Sequence, residues 1–155
     1  MSNSIFDPTA LLDATIDTPM EKRPPLPVGD YTAVIGDITG RTFQGKKDPT
    51  KTYTAWDVNL TLQIPFEIQQ QLGLATGEMK TSDSIMLDLT PQGTIDNTPG
   101  KNGRLRMYRE AVDMNKPGDS FSARKMQGQV VLVRVEHEEY NGEIRDKVAK
   151  VARPM

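Results

Sequence analysis

The chain has 155 residues, with 19 basic and 21 acidic side chains, a net charge of −2, 12 Gly, 11 Pro and no Cys. That length suits one domain with an extension. The missing Cys excludes disulfides, thiolate metal sites and a Cys nucleophile, and it fits a reducing cytosol. No run of about 18 apolar residues offers a membrane span, and the N-terminus lacks the basic start and apolar stretch of a signal peptide.

Charge is unevenly spread. Residues 1–30 hold Asp7, Asp13, Asp17, Glu21 and Asp30 against Lys22 and Arg23, while residues 31–155 hold 17 basic and 16 acidic groups. An acidic segment beside a domain with local basic patches is either a binding device or a solubilising tail. Residues 1–29 read as an arm. Ile5 and Phe6 precede Asp7-Pro8, where Asp7 can cap a short helix whose apolar side is Ala10, Leu11, Leu12 and Ala14. Pro19, Pro24, Pro25 and Pro27 then favour an extended path. The apolar residues of the arm must dock on its own domain, on a neighbouring copy or on a partner.

Tyr31, Ala33 and Ile35 alternate with polar or small residues as a first strand, and Gly36 and Gly40 suit a sharply coiled one. Arg41 to Lys51 reads as a loop in which Arg41, Lys46, Lys47 and Lys51 face a single Asp48, with Phe43 and Tyr53 interleaved. Cations that meet phosphates and rings that stack on bases are what a single nucleic-acid strand requires. Trp56, Val58, Leu60, Leu62 and Ile64 form the clearest period-two strand. Trp56 lies on its apolar face, which favours core packing over base stacking. Pro65 ends the strand, and Phe66 to Leu72 can form two helical turns seated by Phe66, Ile68 and Leu72 and stopped by Gly73.

Thr76 to Asp83 reads as a loop, Ser84 to Leu89 as a strand and Pro91 to Gly103 as a long turn-rich connection with no phosphate-loop signature. Leu105 to Met114 reads as a helix, entered through a second basic cluster of Lys101, Arg104, Arg106 and Arg109 with no acidic residue among them. Phe121 and Met126 read as core anchors. Gln129 to Glu136 is the most strand-like run, with Val131, Val133 and Val135 on one face and Val130 and Leu132 on the other, and it reads as buried on both. Asn141-Gly142 is a strong hairpin turn, and a last strand runs from Glu143 to Ala152. Tyr140, Arg145 and Lys147 form a third aromatic–cation group. His137, the single histidine, lies beside Glu136, Glu138 and Glu139, but without a second histidine this is not read as a metal site, and no catalytic motif is present.

The element order gives a mainly β fold: a five-stranded OB-like barrel over residues 30–155, one helix between its third and fourth strands, and the N-terminal arm over residues 1–29. Leu26-Pro27-x-Gly29-x-Tyr31, Gly103-Arg104-Leu105, Asn115-x-Pro117-Gly118, Gln127-Gly128 and, in the arm, Phe6-Asp7-Pro8 with Leu12-Asp13-Ala14-Thr15 occur in order. With this set the chain resembles a family of small bacteriophage proteins, some regarded as single-stranded DNA-binding proteins with OB-like cores. The resemblance implies a role in phage DNA replication or recombination, in the cytoplasm of a bacterial host. Bacterial single-stranded DNA-binding proteins end in an acidic tail that recruits partners. This chain ends Lys150-Val151-Ala152-Arg153-Pro154-Met155, so contacts with other replication or recombination proteins are expected of residues 1–25.

The expectation is therefore a sequence-tolerant single-stranded DNA binder, without cofactor, metal or membrane attachment, that forms a homo-oligomer. Arg41, Lys46, Lys47, Lys51, Arg145 and Lys147 are expected on phosphates and Phe43, Tyr53 and Tyr140 on bases, in a trough between the first and last hairpins. Arg104, Arg106 and Arg109 extend that track or only solvate their helix. The alternative is a phage structural or adaptor protein that assembles through its arm.

Overall fold

The computed structural model describes residues 7–154; the expectations for Ile5 and Phe6 lie outside them. The chain forms strands β1 (Gly29–Gln44) and β2 (Thr52–Gln63), helix α1 (Phe66–Leu72), strand β3 (Glu78–Leu87), helix α2 (Gly103–Ala111), and strands β4 (Val130–Tyr140) and β5 (Glu143–Ala152). The strands make one five-stranded sheet in the order β3-β2-β1-β4-β5, every pairing antiparallel. Its inner face carries the core: Tyr31, Ala33 and Ile35 of β1, Val58, Leu60 and Leu62 of β2, Ile85 of β3, Val131, Val133 and Val135 of β4, and Val151 of β5, closed by Leu105 and Tyr108 of α2 and by Met126. None of the helices is long and apolar enough to cross a membrane among the described residues.

One irregularity in β1 sets the chemistry of the outer face. Ile35 pairs with Leu60 but Ile38 pairs with Val58, so three steps of β1 oppose two of β2. The extra residue is a β-bulge, and it inverts which side chains point inward. Before it the odd positions Tyr31, Ala33 and Ile35 are buried; after it Ile38 packs on the core, and Arg41 and Phe43 turn outward. The sequence reading carries this strand through Gly36 and Gly40 and places Arg41 and Phe43 in a loop. In the structure both are strand residues, and the loop shrinks to Gly45–Lys51.

Other boundaries also move. Glu78 to Asp83, read as loop, is the first part of β3, paired along its length with β2. The second helix spans Gly103–Ala111 rather than Leu105 to Met114. Val131, Val133 and Val135 are buried, but Val130 is 45% exposed, so β4 is covered on one face rather than two. Phe66 is largely exposed and does not seat α1; Ile68 and Leu72 do. α1 does end at Gly73 in the left-handed conformation, as its sequence indicates.

Among the described residues the sheet is not closed. β3 and β5 lie at the two ends of the strand order and share no ladder. Antiparallel pairing throughout makes them run parallel, and a side chain spans the seam instead. Arg104, in the first turn of α2, donates from Nε to Asp83 Oδ2 on β3 (2.9 Å) and from a terminal nitrogen to the Val148 carbonyl on β5 (2.9 Å). Tyr108, fully buried one turn later, donates its hydroxyl to the same Asp83 oxygen at 2.7 Å. Burial, reinforced by the adjacent Asp83 charge, pushes the Tyr108 phenol far above its ordinary value, so it stays a donor.

Among the described residues, the arm is fixed to the domain at its C-terminal end. Leu26 is 1% exposed within the core. Its N–H donates to Asp146 Oδ1 (2.7 Å), and its carbonyl lies 2.6 Å from His137 Nε2. Arg23 pairs with Asp146 at 2.7 Å, and Lys22 pairs with Glu143. Further out, Ala10–Asp13 form one 3-10 turn, preceded by a hydrogen bond from Thr9 N to Asp7 Oδ1 (3.0 Å). Residues 7–21 bury nothing: Leu11, Leu12, Ile16 and Met20 are 59, 81, 69 and 83% exposed.

Candidate nucleic-acid interface

Directly opposed residues of an antiparallel pair share a face. Phe43 opposes Tyr53, Arg41 opposes Ala55, Ala55 opposes Met86 and Asp57 opposes Ser84. These side chains therefore form one outward stripe across β1, β2 and β3. The Phe43 and Tyr53 rings are stacked with centroids 5.6 Å apart, and the Arg41 guanidinium sits 4.7 Å over Phe43. Arg41 Nε donates to Asp57 Oδ2 at 2.7 Å, and Ser84 Oγ donates to the other Asp57 oxygen at 2.7 Å. The Ser84 hydrogen bond, then the Arg41 bond and charge, hold the Asp57 carboxyl below its ordinary value. The result is a tethered cation beside a two-ring platform, a geometry that accepts a planar ring or a phosphate without first ordering a side chain.

The turn after Phe43 supplies exposed charge. Gly45 N donates to the Lys51 carbonyl (2.9 Å), and Lys51 N donates to the Asp48 carbonyl (3.1 Å), which closes the turn. Gly45 is required there, because a Cβ would lie 2.8 Å from the Asp48 carbonyl oxygen and 2.9 Å from the Tyr53 ring. Lys46, Lys47 and Lys51 are exposed, and none has an acidic partner among the described residues.

The last hairpin repeats the motif. The Arg145 guanidinium lies 4.1 Å over the Tyr140 ring and pairs with Glu138 at 2.7 Å. Lys147 opposes Glu136 across the ladder. Along the chain the two hairpins leave β1 at its two ends: Gly29 pairs with Val135, so β4 runs past the start of β1, whereas Gln44 pairs with Thr52 at its far end. Their flanks nevertheless adjoin one groove. Ser82 and Ser84 of β3 and Arg145 and Lys147 of β5 line one open groove along the seam, and Ser84 also belongs to the Arg41 stripe. Arg104, Arg145 and Lys147 in that groove are balanced by Asp83, Glu138 and Asp146.

The second basic cluster changes meaning. By sequence it lacks counter-charge, because no acid lies within the segment. In the structure Arg104 is committed to Asp83 and Arg106 lies 3.6 Å from Glu110. Arg109 donates to the Met114 carbonyl and stacks 4.7 Å over Phe121. Arg104 and Arg109 hold the fold together rather than offering free charge. Trp56 packs, partly buried, against the core. Sequence reasoning missed Ser84 and Met86 as members of the stripe; the polar alternation of β2 signals Asp57 as facing outward. Comparison with protein-family models and with curated proteins finds no match for this chain.

Proposed function

We propose that the protein is a sequence-tolerant single-stranded DNA-binding protein of OB-like architecture. The observation that carries this reading is the outward Phe43–Tyr53 pair with Arg41 fixed above it and Lys46, Lys47 and Lys51 on the adjoining turn. Bases stack on the two rings and the lysines take the flanking phosphates. The strand order β3-β2-β1-β4-β5, with parallel outer strands and a helix after β3, is the OB order with its last pairing left open. Tyr140, Arg145 and Lys147 extend the track along the seam, more weakly, because the charges of that groove cancel. The resemblance to phage proteins puts this activity in DNA replication or recombination.

The test is a fluorescence titration with oligothymidine and with duplex DNA at two salt concentrations. Binding should favour the single strand and weaken steeply with salt as counterions are released. Phe43→Ala and Tyr53→Ala should each cost about 1–3 kcal/mol. Equal affinity for duplex, or binding indifferent to both aromatic substitutions, overturns the reading. The exposed apolar arm favours a second reading, an assembly or adaptor role. Full-length protein with no DNA affinity that still associates with itself or a partner would support that one instead.

A further inference from the structure

We infer that residues 7–21 are a docking segment for the Phe43–Tyr53 face of a second copy of this chain. Between Asp7 and Glu21 the segment carries Asp7, Asp13, Asp17 and Glu21 and no basic residue. Its Leu11, Leu12, Ile16 and Met20 are exposed and contribute nothing to their own core. Such a segment gains most from an apolar surface rimmed by cations. The stripe described above is that surface. Tyr53 is 38% and Met86 44% exposed on it, and Lys46, Lys47 and Lys51 stand at its edge.

The course of the chain favours a second copy over the same one. The arm is pinned at Arg23 and Leu26 to β5, and Met20 lies along the last hairpin with Tyr140, Ile144 and Arg145. Residues 7–21 leave their own stripe uncovered: Leu11, Leu12, Ile16 and Met20 are exposed, and so are Tyr53 and Met86 on the stripe. Both surfaces are therefore open to another molecule. Two copies exchanging arms make a two-fold contact in which each supplies the acidic segment and the basic face once.

The inference shares its face with the DNA reading, but its test contains no DNA, so either can fail alone. Full-length protein is followed by sedimentation velocity over a range of concentrations, alongside two charge-reversed variants. One carries Asp13→Lys, Asp17→Lys and Glu21→Lys, the other Lys46→Glu with Lys47→Glu; all five positions are exposed, so both variants fold. Wild type should associate in a concentration-dependent way, and each variant alone should associate at least about tenfold more weakly. An equimolar mixture of the two variants should recover association, because each arm then meets a face of opposite sign. Wild type that stays monomeric at every concentration overturns the inference. So does association that ignores both reversals, or variants that fail to complement each other.

Discussion

Replacing Asp83 with Ala is the sharpest probe of how the open sheet is held. Asp83 accepts from Arg104 Nε and from Tyr108 Oη, and it has 13% of its side chain exposed against 32% for Arg104. The substitution strands the buried Tyr108 hydroxyl, at about 1–3 kcal/mol. It also breaks the ion pair, whose full buried cost of roughly 3–5 kcal/mol must be discounted here because Arg104 stays partly solvated and keeps its bond to Val148. The sum is about 3 kcal/mol. With a urea m-value near 2 kcal/mol/M, the unfolding midpoint should fall by about 1.5 M with m unchanged. Tyr108→Phe deletes only the donor and leaves the Arg104 pair intact, so it should cost about 1 kcal/mol. The double variant should lose less than the two losses combined, because the hydroxyl that Asp83→Ala strands is then gone. A midpoint for Asp83→Ala within about 0.3 M of wild type would show that helix packing alone holds the seam.

Three further outcomes follow from the site and its surroundings. Asn102, buried with φ 53°, accepts from Asp88 N and donates to the Asp88 and Asp96 carbonyls. Asn102→Gly should cost about 2 kcal/mol from the lost bonds and Asn102→Ala about 1 kcal/mol more from the left-handed backbone, read by urea unfolding. The Asp57 carboxyl titrates lower folded than unfolded, so its contribution is complete above about pH 3.9 and is lost as pH falls through the folded value. Ser84→Ala removes the largest cause of that depression and should move the loss to higher pH, visible as an upward shift of the Asp57 carboxyl titration by NMR. Gly45→Ala should push the turn off Tyr53 and weaken oligothymidine binding more than it lowers the melting temperature; an unchanged affinity would separate the turn from the platform.

Much of the scaffold was legible. The alternation of β2, the Asn141-Gly142 turn and the Val-rich β4 signal their strands directly, because each buries one face at a two-residue period. The first part of β3 was not legible. Its inward positions Met79, Thr81 and Asp83 look like a polar loop until Arg104 and Tyr108 arrive from α2 to satisfy Asp83. The same pairing explains why Arg104 reads as a free cation: its partner lies 21 residues away in sequence. Leu26 is hidden likewise, a core residue inside a proline-rich segment whose burial depends on Asp146 and His137, far along the chain. The aromatic–cation groups were visible as composition, but not which of them share a face, since that depends on a bulge no local pattern announces.

The bulge between Ile35 and Ile38 has an evolutionary consequence. Losing one residue there would restore regular pairing with Ile35 and Ile38 both still inward and with Arg41 and Phe43 still outward. Gaining or losing one residue between Ile38 and Phe43, where the pairing with β2 is regular, would instead turn Phe43 toward the core, where an aromatic ring has no room prepared. Among descendants of this chain, length should therefore vary at Gly36 and Asp37, while the count from Ile38 to Phe43 stays fixed. Spacing after the bulge, more than residue identity, would be the inherited trait.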